Sequence, residues 1–418
     1  MAAKRKRATR KKATRKKATR KKATRKKAAS SGGIAMQDAG EATTLFFSPW
    51  YRKGPYFEAS RRHGATAYDI YNHMYMPAHC HAQQEEYWKL VRDVTLWDVA
   101  GERQVEITGP DAFAFTNLLT PRDLTKCKVG QCRYVVLTDE KGGIVNDPVL
   151  ARLGESHFWL SLANSDALLW AKGVAVHSGM NVQIQEPDVS PLQVQGPKSK
   201  QVVQALFGDA VSALPYYRLL ETKLDGIPVV VTRTGWSAEM GYEIYLRDGS
   251  RGDELWERVM EAGRPFGIMV TAPSDIRKIE AGILNYGSDM TLENNPYEVD
   301  LGRLVDLDKK VDFVGKQALA RIQAEGVKRK LVGVEIEGDR LEGRFTEFWP
   351  VRKNGGRIGH LTEVVYSPRL EKTIGYAWVP IEQAGLGTPL TIDTPEGEKT
   401  AKVVRKPFID PTKKTPRV

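Results

Sequence analysis

The chain has 418 residues, of which 41% are hydrophobic, and it carries a net charge of +12 at neutral pH. Sixteen Lys and Arg residues lie between Lys4 and Lys27, where there is no Asp or Glu, so removing these sixteen charges from +12 leaves −4 for the rest. This length allows two or three domains with a sizeable core. Because the rest of the chain is mildly acidic, its overall charge gives no reason to expect nucleic-acid binding.

The three cysteines are an odd number and include no Cys-x-x-Cys pair, which favours reduced thiols over a disulfide framework. No apolar run is long enough to span a bilayer, and no signal-peptide pattern opens the chain. We therefore expect a soluble protein of the cytoplasm.

Residues 1–33 form a low-complexity tail in which Ala-Thr-Arg-Lys-Lys recurs at 8–12, 13–17, 18–22 and 23–27. The tail has no apolar face to bury and its charges repel one another, so we expect it to be disordered. Two interpretations stay open: residues 4–27 contact a polyanion such as nucleic acid, polyphosphate or anionic lipid, or the tail only solubilises the chain. A transit peptide is disfavoured, because the segment lacks the apolar half of an amphipathic helix.

An aromatic, His-rich segment at 68–77 is followed by His79, Cys80 and His81. Three consecutive potential ligands suggest a metal site, but the usual ligand spacings are absent and no second cluster completes a coordination shell. We therefore expect no metal.

Strand and helix patterns alternate through the next two hundred residues. They predict helices at 83–92, 110–119, 166–177, 197–207, 253–262 and 274–286, and strands at 104–108, 134–138, 158–162, 181–185, 227–233 and 242–246. The stretches 104–110 and 192–197 each run a strand into Gly-Pro and a helix, which suggests two related α+β halves.

The segment 130–149 is predicted to carry the chemistry. Its strand pattern at 134–138 leads into Asp-Glu-Lys-Gly-Gly at 139–143, which has the glycines that a hairpin turn needs. The returning strand stops at Asn146-Asp147-Pro148, because proline has no N–H to give to a sheet ladder. Asp147 therefore stands at the mouth of the sheet, as a functional carboxylate or as a simple turn cap.

After about residue 328 the pattern changes to short strands punctuated by Gly and Pro. Strands are predicted at 330–337, 357–360, 373–377, 389–392 and 402–404. This pattern favours a small β-barrel at 329–418, appended to an α+β body at 34–328.

Motifs in a shared order along residues 85–412 resemble the glycine-cleavage T-protein superfamily of tetrahydrofolate-dependent one-carbon transferases. They are 97–99 (Trp-Asp-Val), 109–110 (Gly-Pro), 142–147 (Gly-Gly-Ile-Val-Asn-Asp), 195–198 (Gln-Gly-Pro-Lys), 233–236 (Arg-Thr-Gly-Trp), 241–243 (Gly-Tyr-Glu), 279–281 (Ile-Glu-Ala), 286–290 (Tyr-Gly-Ser-Asp-Met), 293–299 (Glu-Asn-Asn-Pro-Tyr-Glu-Val), 312–316 (Asp-Phe-Val-Gly-Lys) and 406–408 (Lys-Pro-Phe). Further motifs at 71–74, 102–107, 119–124, 130–132, 146–149 and 187–191 are most similar to the dimethylsulfoniopropionate demethylase branch. The fold that this resemblance implies is α+β: a three-domain cloverleaf around a central folate channel, with a C-terminal β-barrel.

The resemblance also implies roles for single residues. Asp147 takes the place of the functional carboxylate beside the folate nitrogens, and Glu243 that of the carboxylate that holds the amino-pyrimidine edge of the pterin. A flat pterin with an N–H edge suits aromatic walls and one carboxylate. The residues expected to line this slot are Tyr134, Val149, Tyr216, Tyr217 and Trp236. The plain alternatives are a solvent-facing strand glutamate for Glu243 and a core anchor for Trp236.

The chain departs from T-proteins where their Ala-Arg-Asp run precedes the Leu-Glu-Ala helix. Here 272–275 reads Ala-Pro-Ser-Asp, with Ser274 nearest the missing arginine, and Ile283 stands near the place of a tyrosine. The T-protein run Asp-Val-Ser-His-Met is Asp-Val-Ala-Gly-Glu at 98–102. These departures disfavour an aminomethyl-lipoyl protein as donor and leave room for a small, free one.

We therefore expect a methyltransferase that moves a methyl group from a small onium donor, such as dimethylsulfoniopropionate, to N5 of tetrahydrofolate. Tyr71, His73 and Trp97 are expected to bind the donor, and Tyr75, Trp159 and Trp170 are further candidates for an aromatic cage. Two alternatives remain: one-carbon transfer from an amine donor, and a non-catalytic folate-binding scaffold tethered by its basic tail. The sequence leaves the oligomeric state open, with a homodimer as one interpretation.

Overall fold

The computed structural model describes residues 47–341 and 345–418, so the predicted basic tail at 1–33 lies outside the described residues. In chain order the strands are β1 (Arg52–Lys53), β2 (Ala67–Tyr71), β3 (Met74–His79), β4 (Thr95–Asp98), β5 (Gln104–Thr108), β6 (Gln131–Tyr134), β7 (Leu137–Thr138), β8 (Ile144–Asn146), β9 (Val149–Gly154), β10 (His157–Ser161), β11 (Gln183–Gln185), β12 (Ser190–Gln195), β13 (Leu219–Leu224), β14 (Ile227–Thr232), β15 (Gly241–Leu246), β16 (Met269–Val270), β17 (Arg329–Ile336), β18 (Trp349–Lys353), β19 (Gly356–Ser367), β20 (Lys372–Pro380), β21 (Pro389–Thr394) and β22 (Gly397–Val404). The α-helices are α1 (Phe57–Arg62), α2 (Gln83–Arg92), α3 (Ala112–Leu119), α4 (Ala167–Ser178), α5 (Ser199–Phe207), α6 (Asp209–Ser212), α7 (Gly252–Gly263), α8 (Asp275–Glu280) and α9 (Lys316–Glu325).

Two larger sheets and a closed barrel organise these elements. One sheet has five strands in the order β11-β5-β10-β9-β6, and the other has six in the order β13-β14-β15-β12-β4-β16. Strands β17-β20-β19-β18-β21-β22 close the C-terminal barrel, as the sequence predicted. The chain is therefore α+β, with its strands divided among separate sheets rather than one.

Each large sheet buries one face under its own helices, and other faces meet between the sheets. Phe115 and Phe158 belong to a core beneath the five-stranded sheet, while Trp256 and Ile244 belong to the core of the six-stranded sheet. A third cluster, which includes Trp159 of β10 and residues of β6, β9 and β13–β15, joins the two sheets. The two halves thus pack directly on each other.

The repeated strand–Gly-Pro–helix pattern has a common physical cause. Gly109 follows β5 with φ +115° and Gly196 follows β12 with φ +120°. A Cβ at Gly109 would lie 2.7 Å from the Asn181 carbonyl, and one at Gly196 would lie 2.6 Å from the Asp93 carbonyl. Only glycine fits such a left-handed turn at close backbone approach, and the two copies fall in the two different sheets.

Several predicted elements differ in extent from the observed ones, and two of them are interrupted. The helix predicted at 274–286 ends at Glu280, because Gly282 adopts φ +67° with Pro407 packed against it, and Ile283 follows in a loop. The strand predicted at 134–138 is divided into β6 and β7. Periodicity alone did not register either interruption.

No helix in the described part of the chain is both long and apolar enough to cross a bilayer. Cys80, Cys127 and Cys132 are all buried free thiols.

Candidate active site

Asp147 lies at a break between two pieces of a hairpin. Strands β7 and β8 form the tip, and strands β6 and β9 form the base, where Tyr134 pairs with Val149. Between the two pieces the Val135 N–H donates to the Pro148 carbonyl over 3.0 Å, while Pro148 has no N–H to return. The ladder opens at this point, and the Asp147 side chain lies beside Tyr134.

The Asp147 carboxyl has one hydrogen-bonded oxygen and one unpaired oxygen. Tyr134 donates its hydroxyl to Oδ2 over 2.8 Å, whereas Oδ1 is buried and has no hydrogen-bond partner among the described residues. Burial raises the pKa of Asp147 to about 7, although the Tyr134 hydrogen bond opposes this rise. A carboxyl with a pKa near the working pH suits general acid–base chemistry.

An aromatic cavity of about 710 Å³ lies next to Tyr134, and Tyr216 and Tyr217 form another part of its wall. The rings of Tyr216 and Tyr217 lie 4.7 Å apart, edge to face. Tyr217 has φ +64°, a strained conformation for a side chain of this size, held by backbone hydrogen bonds to Arg233 and Cys132. Such an outlier at a cavity wall is typical of a ligand-binding position.

The same cavity has a basic mouth. Its lining includes six cationic side chains and one acidic residue: Arg122, Arg133, Arg303, Lys406, Lys413, Arg417 and Asp300. Burial lowers the pKa of Lys413, and the neighbouring charges of Arg303 and Arg417 lower it further. The mouth therefore carries excess positive charge and favours anionic ligands.

Glu243 is buried in the six-stranded sheet, with 4% of its surface exposed, so the alternative of a solvent-facing strand glutamate is wrong. Gln193 donates to Oε1 over 2.7 Å, while Tyr245 and Thr232 donate to Oε2 over 3.1 and 3.4 Å. Thr234 donates to Oε2 as well. Burial raises the pKa of Glu243, and these hydrogen bonds oppose the rise.

Register places several site residues in one row across the sheet. Thr232 pairs with Glu243, Glu243 with Gln193, and Gln193 with Trp97. Paired residues of neighbouring strands project to the same face, so Trp97 and Glu243 share a face of the sheet. Gln193 also accepts a hydrogen bond from the Trp236 backbone N–H over 3.3 Å.

The remaining apolar residues of the predicted slot pack against hydrophobic clusters. Val149 and Tyr217 pack against one hydrophobic cluster, and Trp236 packs against another that contains Trp97. Lys278 Nζ lies 5.6 Å from the centroid of the Trp236 ring. Val149, Trp236 and Glu243 are not among the lining residues of the 710 Å³ cavity.

The predicted donor-binding residues are divided by the structure. Tyr71 is partly buried, and its pKa is raised by burial and then by the nearby charges of Glu102 and Asp147. His73 is exposed in the turn between β2 and β3, and Trp97 is fully buried. The Trp159 indole donates to Glu106 over 3.0 Å and packs in the core between the sheets.

Two residues that motif reasoning did not assign are central here. Gln193 binds both Glu243 and, over 3.4 Å, Glu102. Glu102 lies in the stretch 102–107, which was singled out for its resemblance, whereas Gln193 lies in the repeat at 192–197 as a polar residue between Leu192 and Val194 of β12. The contact itself depends on strand pairing and could not be predicted locally.

Among the described residues, no group of three or more His, Cys, Asp or Glu side chains is placed to hold a metal ion. In the stretch proposed as a ligand cluster, the backbone N–H groups of Cys80 and His81 donate to Glu86 over 3.1 and 2.7 Å. The segment is thus tied to the start of α2.

The residues present fit a pterin-bearing acceptor. Asp147 offers an unpaired buried oxygen, tyrosine rings provide walls, and the basic mouth suits a carboxylate-bearing tail. An α+β body with a terminal barrel and this site defines a class, the folate-dependent one-carbon transferases.

The chain belongs to the glycine-cleavage T-protein family. Residues 56–309 match the GCVT N-terminal domain, and residues 329–410 match the glycine cleavage T-protein C-terminal barrel domain. Membership confirms the predicted family and fold and makes the chain a tetrahydrofolate-dependent transferase.

Individual members of the family are similar to the chain over most of its length. A dimethylsulfoniopropionate demethylase of Ruegeria pomeroyi is 36% identical over 360 residues, which cover 86% of this chain and 98% of the relative. An aminomethyltransferase of Symbiobacterium thermophilum is 32% identical over 344 residues, covering 80% of this chain and 91% of the relative. The crystal structure of the glycine cleavage system aminomethyltransferase T from Bartonella henselae superimposes with a TM-score of 0.76 at 24% identity, covering 86% of this chain and 98% of that one.

Proposed function

We propose that this protein demethylates dimethylsulfoniopropionate by moving one methyl group to N5 of tetrahydrofolate. The observation that carries the proposal is Asp147, a carboxyl that has a pKa of about 7 and one unpaired oxygen and that accepts a hydrogen bond from Tyr134, a residue that lines an aromatic cavity. The 36% identity to a demethylase over 86% of the chain supports this choice of donor.

The reaction is an in-line displacement. The bond between one methyl carbon and the sulfonium sulfur breaks, its electron pair stays on sulfur, and an uncharged thioether sulfur is left. A carbon–nitrogen bond forms with the N5 lone pair, and the N5 proton is released. No protein nucleophile is needed, so the enzyme contributes mainly by holding donor and acceptor in line.

Asp147 has two tasks in this scheme. Its unpaired Oδ1 is placed to orient the acceptor through a hydrogen bond, and its ionised form takes up the proton that N5 loses. Tyr134 keeps the other oxygen fixed, because its hydroxyl donates to Oδ2. A carboxyl of ordinary pKa would be a weaker base at neutral pH.

The two ends of tetrahydrofolate are assigned to different kinds of side chain. Tyr134 and Tyr217 provide faces for the pterin ring, with Glu243 assigned to its amino-pyrimidine edge. The tail carboxylates lie towards the basic mouth, where Arg303 and Lys413 provide charge. Val149 and Trp236 support the slot from behind by packing.

The decisive test is incubation of the purified chain with tetrahydrofolate and dimethylsulfoniopropionate, followed by mass spectrometry for 5-methyltetrahydrofolate and the thioether in equal amounts. If neither product forms although the protein still binds tetrahydrofolate, the choice of donor is wrong. Glycine betaine, dimethylglycine and sarcosine are then the donors to test, since a relative of 32% identity is an aminomethyltransferase. Absence of tetrahydrofolate binding would overturn the assignment of the site.

Three further features belong to the proposal. We place the enzyme in the cytoplasm, because its three buried cysteines are free thiols. Polyanion contact through residues 4–27 and a homodimeric state are tested by comparing the full chain with one lacking residues 1–33, in salt-dependent polyanion binding and in light scattering.

A further inference from the structure

Glu102 is an acidic side chain that the reaction scheme does not use. It lies beyond the end of β4, and its Oε1 accepts a hydrogen bond from Gln193 Nε2 over 3.4 Å. The same amide nitrogen lies 2.7 Å from Glu243 Oε1, so one neutral amide stands between two carboxyls. Burial raises the pKa of Glu102 well above its ordinary value, and the charge of Glu243 raises it further.

Glu102 is desolvated but not fully covered by protein. Its side chain is partly exposed, as are those of Tyr71 and Asp147, and burial raises the pKa of each of the three. The charges of both Glu102 and Asp147 raise the pKa of Tyr71 further, so the three groups lie near one another.

A chain of hydrogen bonds holds these groups in place. Asn146, the neighbour of Asp147, binds the Ala163 carbonyl over 2.9 Å and Ser165 Oγ over 2.7 Å. The Ser165 backbone N–H donates to Asn72 Oδ1 over 3.0 Å, and Asn72 Nδ2 donates to the Gly101 carbonyl over 3.0 Å. The hairpin of Asp147 and the turn that bears Glu102 are therefore fixed to one another.

Tyr71 is held against the same turn. A Cβ added to Gly101 would lie 3.4 Å from Tyr71 Cβ and 3.5 Å from its Cδ1, which is ordinary contact distance. Tyr71 thus contacts the turn that carries Glu102. An aromatic face beside a carboxylate is a combination that suits an organic cation.

The absence of ion pairs at these carboxyls in the described part of the chain also favours binding of a cation. Within the described residues, none of the ion pairs involves Glu102, Glu243 or Asp147. Neighbouring cations are engaged elsewhere: Arg103 pairs with Glu186, and Lys278 pairs with Glu363 over 2.6 Å. Desolvated carboxyls without a cationic partner hold their protons more tightly than usual, and a bound cation would favour the ionised form of Glu102.

We propose that Glu102 recognises the positive charge of the methyl donor and so determines the choice of a cationic donor. This inference rests on the proposed function. The donor is a cation before transfer and its sulfur is neutral afterwards, so the attraction of Glu102 is present for the substrate and absent for the thioether product. Because this attraction is stronger in the ground state than in the transition state, it lowers KM and does not raise kcat. Glu102 is thus a specificity-determining residue.

The test compares the full-length wild type with Glu102→Gln, Glu102→Asp and the exposed control Glu398→Gln. Calorimetry gives Kd for dimethylsulfoniopropionate, for its thioether product, whose sulfur is uncharged, and for tetrahydrofolate, and steady-state kinetics separate kcat from KM. For Glu102→Gln we expect Kd and KM for the donor to rise at least tenfold and kcat to be no lower than that of the wild type, with thioether binding and tetrahydrofolate binding within twofold of wild type. Glu102→Asp, which keeps the charge, should recover part of the donor affinity.

Each other result decides against the inference in a distinct way. A larger loss of tetrahydrofolate binding than of donor binding assigns Glu102 to the pterin, and equal donor affinity in all variants assigns it a structural role. A wild type that does not use dimethylsulfoniopropionate but binds another onium, such as glycine betaine, overturns the proposed donor, and the same variants are then compared with that cation. A wild type that binds no cationic donor overturns both proposals.

Discussion

Replacing Asp147 by Asn should make the enzyme less active and, at alkaline pH, more stable. Asn keeps the shape of the side chain, and its carbonyl still accepts the hydroxyl of Tyr134, which now lies 2.8 Å from Oδ2. It cannot ionise, however, and so cannot take a proton. Loss of a positioned acid–base group reduces kcat/KM by about 10²- to 10⁴-fold.

The gain in stability follows from the raised pKa. The pKa of Asp147 rises from 3.8 to about 7, and at about 1.36 kcal/mol per pKa unit its ionisation costs the folded state about 4 kcal/mol at high pH. Because the folded state holds the proton more tightly than the unfolded state, this cost is absent below pH 3.8, grows between pH 3.8 and 7, and is constant above. The unpaired amide of Asn costs about 1–3 kcal/mol, but at every pH alike.

The measurable quantity is the difference in unfolding free energy between Asp147→Asn and wild type, from urea titrations at pH 5 and pH 8.5. Linkage predicts that this difference moves in favour of the variant by about 2–3 kcal/mol between the two pH values. The exposed Asp69→Asn serves as the control and should show no such trend. A pH-independent difference would refute the raised pKa, and unchanged turnover would refute the catalytic role.

Three other substitutions test the site and its support. Tyr134→Phe removes a hydrogen bond that lowers the pKa of Asp147, so the pH midpoint of kcat/KM should move upward from about 7; an unmoved midpoint contradicts this. Glu280→Ala leaves buried partners unpaired and should lower the unfolding free energy by about 3–5 kcal/mol in urea titrations, unlike the exposed Glu382→Ala. Arg303→Ala should weaken binding of a polyglutamylated folate more than of a monoglutamate, with the difference fading in high salt; equal losses would exclude a tail contact.

Local signals in the sequence were sufficient for the hairpin of Asp147. The turn at 139–143 and the proline at 148 impose their geometry on the immediate chain, whatever lies around them. The helix at 274–286 was predicted too long for a related reason. The apolar spacing that continues to Ile283 favoured a helix, and the single glycine at 282 was not given enough weight. Barrel strands were recognised by their punctuation, although β18 was missed because Pro350 lies within it.

Groups that meet through strand pairing were harder to predict. Gln193 contacts Glu243 and Glu102 because β12 lies between β15 and β4, an order that no short pattern contains. Trp97 was expected to bind the donor because it is aromatic. In the structure β4 is covered on both faces, and Trp97 is completely buried. The family resemblance assigned Asp147 and Glu243 places that composition and periodicity could not give.

The C-terminal barrel has the outline of an independent module, yet it completes a set of buried charges in the body. Glu280, fully buried, accepts hydrogen bonds from Tyr87 and from the barrel residues Ser367 and Arg369, while Lys278 binds Glu363. A chimera that exchanges the barrel with that of a relative would therefore have to carry over these partners together. Recombination at residue 328 separates Lys278 and Glu280 from their partners in the barrel. We therefore expect a chimera to fold only if these buried charges keep their partners, whatever the apparent domain boundary.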